Sequence, residues 1–273
     1  MSCNPTSVSG SVDPPRLPVW SPDGSIIYFA AAEARPVAPR GSDFLTTIGQ
    51  QAVPVHLWKV SVATGDEVRI TSGDWSTLGF HLSRDGRRLT MLRAPSADEG
   101  DHYNSEVWVM DADGANARAV TSNGLYELDA DLSPDNSRVF FLADADATLD
   151  PYHGHTVFIV SSAGGAPRMA APKLGHSIDA ATWAPDGAAI LAVVNLGVHQ
   201  EVYRIDATTG ATTALTDGEH AIPYMSVSPA ARQLVDHLVA DVAQARGTVA
   251  QQRRDHLHRV RGEMGGDQGG DQF

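Results

Sequence analysis

Polar turns and apolar runs alternate along this chain with a fixed order. Short segments of Ser, Pro, Asp and Gly occur at Ser21-Pro22-Asp23-Gly24, Ser83-Arg84-Asp85-Gly86, Ser133-Pro134-Asp135-Asn136 and Ala184-Pro185-Asp186-Gly187, with a reduced copy at Ser228-Pro229-Ala230-Ala231. Proline presets φ at the second position, aspartate accepts local backbone hydrogen bonds, and glycine or asparagine tolerates the left-handed conformation that closes the turn. Each copy therefore reverses the chain. The apolar runs that follow, at residues 26–30, 89–92, 139–142 and 190–194, are too short for helices and read as strands.

A further strand recurs around an aromatic residue, at 57–60 (Trp58), 107–110 (Trp108), 157–160 (Phe158) and 202–205 (Tyr203). Glycine-bearing turns then precede fourth strands at 67–71, 118–121, 168–170 and 213–216. With the strand leading into each Ser-Pro-Asp-Gly turn, the unit has four strands and a period of roughly 50 residues, which is the size of a β-propeller blade. The predicted fold is all-β: four antiparallel four-stranded blades at 17–73, 74–122, 123–172 and 173–217, then part of a fifth at 218–235. Residues 1–16 are expected to be a flexible leader. Insertions at 34–55 and 94–104 read as rim loops between second and third strands. The aromatics at one strand position are expected to be core, because stacked blades pack face to face.

At 236–273 the pattern changes. Val235, Leu238, Val242, Ala245 and Val249 recur at helical spacing, so a helix is expected over about 230–260, followed by a disordered Gly-Asp-Gln tail.

Composition narrows the function. Of 273 residues, 42% are hydrophobic and 19% charged, ordinary for a globular protein, and the formal net charge is -13. Twenty Lys and Arg against 33 acids do not make a cationic footprint for a phosphate backbone or an anionic membrane, so neither nucleic acid nor membrane is an expected partner. A single cysteine, Cys3, allows no intrachain disulfide, and neither a secretory pattern over Met1 to Pro18 nor a run of about 18 apolar residues is present. The expected location is cytoplasmic.

Candidate chemistry is sparse. His153 with His155 and His256 with His258 are close pairs without the remaining ligands that zinc needs. The acidic groups Asp111 and Asp113, Asp129, Asp131 and Asp135, and Asp144, Asp146 and Asp150 lack a calcium-loop signature, and turn chemistry explains them. No metal or other cofactor is expected. The strands that lead into the repeated turns are innermost in a propeller, and they carry His81, Asp129, Asp131, Asp179 and Tyr224. Carboxylates there could attract a peptide amino terminus or a cationic side chain, while the alternative is that they satisfy neighbouring backbone groups.

The strings Trp20-Ser21-Pro22-Asp23-Gly24, Val107-Trp108-Val109-Met110-Asp111-Ala112-Asp113-Gly114 and Ala119-Val120-Thr121 resemble the repeats of TolB-like propellers and of the amino-terminal propeller of prolyl oligopeptidase family serine peptidases. Residues 56–76, with Leu57-Trp58-Lys59-Val60, resemble the peptidase branch more closely. The resemblance covers about 17–235. It implies a seven- or eight-bladed propeller that caps an α/β-hydrolase domain holding the catalytic triad. No Gly-x-Ser-x-Gly nucleophile elbow occurs here, so no catalytic residue carries over. The expected function is a non-catalytic module like the substrate-gating domain of such a peptidase, with the departure at Val235 reading as truncation or a frame shift. The alternative is a stand-alone TolB-like interaction module. Expected partners are a peptide or protein ligand, or a second copy through open blade edges or the C-terminal helix.

Overall fold

The computed structural model describes residues 16–32, 52–145, 151–218 and 222. They form sixteen strands in four antiparallel four-stranded sheets, each in simple up-and-down order. The first blade comprises β1 (Arg16–Trp20), β2 (Ile26–Ala32), β3 (Val55–Ser61) and β4 (Glu67–Arg69). The second comprises β5 (Ser76–Leu82), β6 (Arg88–Ala94), β7 (Glu106–Asp111) and β8 (Arg118–Ala119). The third is β9 (Glu127–Leu132), β10 (Arg138–Ala145), β11 (Pro151–Ser161) and β12 (Arg168–Met169), and the fourth β13 (Ser177–Trp183), β14 (Ala189–Asn195), β15 (Gln200–Asp206) and β16 (Thr212–Ala214). The second insertion forms a short 3-10 helix, Glu99–Asn104, whose amino end is capped by Asp98 accepting from Gly100 N at 2.9 Å. The partial fifth blade beyond 218 and the C-terminal helix expected from the sequence lie outside the described residues.

The repeated turns share one backbone bond, and the three that begin with serine add the same side-chain bonds. In the first, Gly24 N donates to Ser21 O at 2.9 Å, Ser21 Oγ donates to Asp23 Oδ1 at 2.6 Å, and Ile26 N donates back to Ser21 Oγ at 2.9 Å. Ser83 with Asp85 and Ser133 with Asp135 repeat the arrangement. Asn136 takes the left-handed conformation with φ 58°, as its place in the repeat requires. Three charge-assisted donors hold the Asp135 carboxylate down at about 2, with the Ser133 hydroxyl contributing most.

Packing is face to face. One face of blade 1, through Tyr28, Ala30 and Leu57, meets Leu89, Met91 and Met110 of blade 2. The next interface joins Leu92, Val107 and Val109 to Val139, Phe141 and Phe158, and the third joins Phe140, Leu142 and Ile159 to Trp183, Ile190 and Ala192. Each blade thus has a leading face towards its successor and a trailing face towards its predecessor. Arginines link the outer parts of successive blades: Arg118 Nη2 donates to Ser162 O at 2.7 Å, and Arg168 donates to Ala207 O.

Of the four repeated aromatics, Phe158 is fully buried, whereas Trp58, Trp108 and Tyr203 are half-buried. Trp108 packs at the margin of the core between blades 1 and 2, with the Arg93 guanidinium 4.2 Å from its ring centroid and 4.3 Å from that of Trp75. The largest fully buried side chain among the described residues is Trp183, at the end of β13.

Candidate functional site

The inner edge of the stack is made by the first strands, with β5 against β9 and β9 against β13. Each carries a bulge at the same place: the register skips Leu78 in β5, Leu128 in β9 and Asp179 in β13. A bulge adds local twist and changes which way the residues before it point. After it, His81, Asp131 and Thr182 occupy the same position in their blades, one residue before the end of the strand.

His81 and Asp129 meet across the interface between blades 2 and 3, with His81 Nε2 2.8 Å from Asp129 Oδ1. Their side chains are 47% and 34% exposed, so the pair is open to solvent and to a ligand. Burial of the ring opposes its protonation, but the Asp129 hydrogen bond and the charges of Asp129 and Asp131 prevail and raise His81 to about 9. Desolvation raises the carboxyl of Asp131 to about 6, partly offset by the His81 charge and reinforced by Asp129.

Arg84 completes the cluster. It stands where the turns of the other three blades have proline, and that departure was the sequence signal for it. Its Nη2 donates to the carbonyl of Trp183 at 2.7 Å, and Trp183 Nε1 donates to the carbonyl of Asp131 at 3.0 Å. Arg84 thereby links blade 2 to blade 4 past blade 3, and it sits within the field of Asp131 and Asp186. Asp129 and Asp131 thus place two carboxyl groups beside the His81 ring at the solvent-open seam between blades 2 and 3. Such an arrangement can receive an ammonium or guanidinium group.

The structure brings together three of the five residues singled out from the sequence: His81, Asp129 and Asp131. Asp179 is held within its own blade, where Oδ2 accepts from Gln200 Nε2 at 2.6 Å and Asn195 Nδ2 at 3.2 Å. Tyr224 lies outside the described residues. Among the acidic groups considered as metal ligands, Asp111 and Asp113 accept from Asn116 and Ala115, which is turn chemistry. His155 Nε2 lies 3.4 Å from Asp144 Oδ1, and no group of three or more ligating side chains is found among the described residues. His256 and His258 fall outside them.

A second polar cluster was not anticipated. Glu127, at the start of β9, is buried and accepts from Val107 N at 2.7 Å, Thr121 Oγ1 at 2.8 Å and Asn123 Nδ2 at 2.9 Å. Glu106 Oε1 accepts from the backbone of Asn123 and Gly124, so two carboxyl groups bracket one loop residue. Burial pushes Glu127 up to about 8, with Glu106 adding to it. The signal was there in the repeat: the second residue after the fourth strand is a threonine in blades 1, 2 and 4, and Thr71, Thr121 and Thr216 each accept from the third strand, at Leu57, Val107 and Val202. The residue preceding that donor is His56, Glu106 or Glu201. Through Glu127 this cluster ties the first strand of blade 3 to the third strand of blade 2 and to the loop after its fourth, and it is structural in character.

No protein-family model matches the chain. An uncharacterised peptidase of Bacillus subtilis (strain 168), YuxL, is 25% identical over 118 residues, which is 43% of this chain and 17% of the relative. TolB from Acinetobacter baumannii is 21% identical with a TM-score of 0.50, covering 75% of this chain and 44% of that one. Prolyl oligopeptidase B from Galerina marginata, solved with a 25mer macrocyclization substrate, is 17% identical with a TM-score of 0.50, covering 72% of this chain and 27% of that one. The chain spans less than half the length of each. The stacked blades are thus those of a β-propeller similar to TolB and to the propeller-bearing prolyl oligopeptidases, and the local sequence likeness runs to a peptidase.

Proposed function

We propose that this chain is a non-catalytic propeller module of the prolyl oligopeptidase type, which receives a peptide at the inner edge and governs its access rather than cleaving it. The observation that carries this reading is the solvent-open pair of His81 and Asp129 with Asp131 beside it, two carboxyl groups on the strands that face the axis of a propeller. A free peptide amino terminus or a basic side chain suits it. Resemblance to a peptidase supports the peptide, and the absence of a Gly-x-Ser-x-Gly segment supports the non-catalytic role.

Calorimetric titration with a short peptide and its amino-acetylated twin tests the site. The free amine should bind roughly fivefold more tightly, the scale of one partly exposed ion pair. The advantage should fade as pH falls through about 6, where Asp131 takes up a proton, and Asp131→Asn should remove it. Equal binding of both peptides would reject the site. A serine-directed activity probe should leave the chain unlabelled, and specific labelling of one serine would reject the non-catalytic part.

A further inference from the structure

The four blades allow each surface to be compared with its counterparts, and the trailing face of blade 1 stands apart. Trp20 ends β1 as Trp183 ends β13. Trp183 is fully buried: its ring lies 6.0 Å from that of Phe140, under the Arg138 guanidinium at 5.0 Å, and its Nε1 reaches the carbonyl of Asp131, all on the preceding blade. Trp20, the same residue at the same position, is 56% exposed. Ile27 and Phe29 are half-exposed, whereas their counterparts Leu89 and Met91, Val139 and Phe141, and Ile190 and Ala192 are all buried against a preceding blade.

Three backbone features on the same face lack, among the described residues, the partners that their counterparts have. The carbonyls of Ser162 and Ala207 accept an arginine from the blade before them, and the corresponding residue of blade 1 is Val62, 49% exposed. The equivalence is fixed by a shared bond, since Val62 N donates to Ser25 O as Ser162 N does to Ser137 O and Ala207 N to Ala188 O. Gly114 and Gly210 lie so close to the preceding blade that an added Cβ would stand 2.7 Å from the carbonyls of Ile70 and Ala170, while Gly65 has no such neighbour among the described residues. Gly86 and Gly187 nest against Pro22 and Pro134 of the previous turn, while Gly24 meets no such neighbour among the described residues.

We propose that this face is a docking surface for the leading face of another propeller blade, carrying an arginine at the start of its second strand, an aromatic two residues later, a proline in its turn and an arginine in its fourth strand. Blade 3 has all four, in Arg138, Phe140, Pro134 and Arg168. The leading face of blade 4 in a second copy does not fit this description: it offers Ala189, Leu191 and Thr213 instead, and Leu191 and Val193 are already buried within their own chain. Hydrophobic burial supplies the drive, and the arginine and glycine positions set the register, as both do at the interface between blades 3 and 4. The inference is independent of the peptide reading.

The test replaces residues 1–13 of the full chain with a second copy of residues 123–172. The added blade should raise Tm by several degrees, and it should remove one tryptophan from acrylamide quenching. A copy carrying R138A and F140A should do neither. An added blade that is digested by protease while Trp20 stays quenchable overturns the proposal, and so does an unchanged Tm. Light scattering of the parent chain provides the other arm. A monomer with quenchable Trp20 is the expected result, while a dimer that shields Trp20 would assign the face to a second copy and reject a blade of the stated chemistry.

Discussion

At Glu127 three hydrogen-bond donors converge on a carboxyl group that burial keeps protonated near neutral pH. Its folded value of about 8 lies above the ordinary 4.5, so the folded protein binds the proton more tightly than the unfolded chain does. The stability tied to this proton is fully present below pH 4.5 and is lost as pH rises through about 8. His81, raised to about 9, contributes with the same sign over a higher window. Glu127→Gln removes only the first dependence. Urea melts of the parent and the variant at pH 5 and pH 8 should therefore show the parent losing more stability between the two than the variant does. Equal losses would mean that Glu127 is ionised in the fold.

At the level of elements, the second turn of each blade decides both a local conformation and a contact. Gly114 has φ 94° and presses on the carbonyl of Ile70, while Gly65 has φ 76° with open space beside it. Alanine at 65 should cost only the left-handed backbone, about 1 kcal/mol. Alanine at 114 adds a collision between blades and should cost about 2 kcal/mol more than that. Chemical denaturation of G65A and G114A separates the two effects, and equal losses would show that the blades can part at this turn without strain. The positive φ at both positions was legible in the sequence, from glycine in a turn between strands. Which of the two glycines touches a neighbour was not, since the contact depends on the packing of one blade against another.

On the scale of the whole stack, position in the array outweighs residue identity. Trp183→Ala leaves a large cavity against Phe140 and orphans the carbonyl of Asp131, and should cost about 3 to 5 kcal/mol. Trp20→Ala, the same change at the same repeat position, should stay within about 0.5 kcal/mol because the ring faces solvent. Thermal melts of the two variants check this. A large loss for Trp20→Ala would show that the ring is packed in solution and would reverse the reading of blade 1.

The repeat is written in the residues alone: the turn that starts each hairpin, the strands on either side of it and the four-stranded unit. Those features arise from interactions spanning a few residues, as when Ser133, Asp135 and Arg138 close one turn, so their signal is local and periodic. Which polar residues meet depends on how the blades stack. His81 finds Asp129 across 48 residues and Arg84 reaches Trp183 across 99, whereas Asp179, equally acidic and also on an inner strand, is taken up by its own blade. A bulge turns each inner strand and a neighbouring blade supplies each partner, and neither is written in the residues on either side of the site.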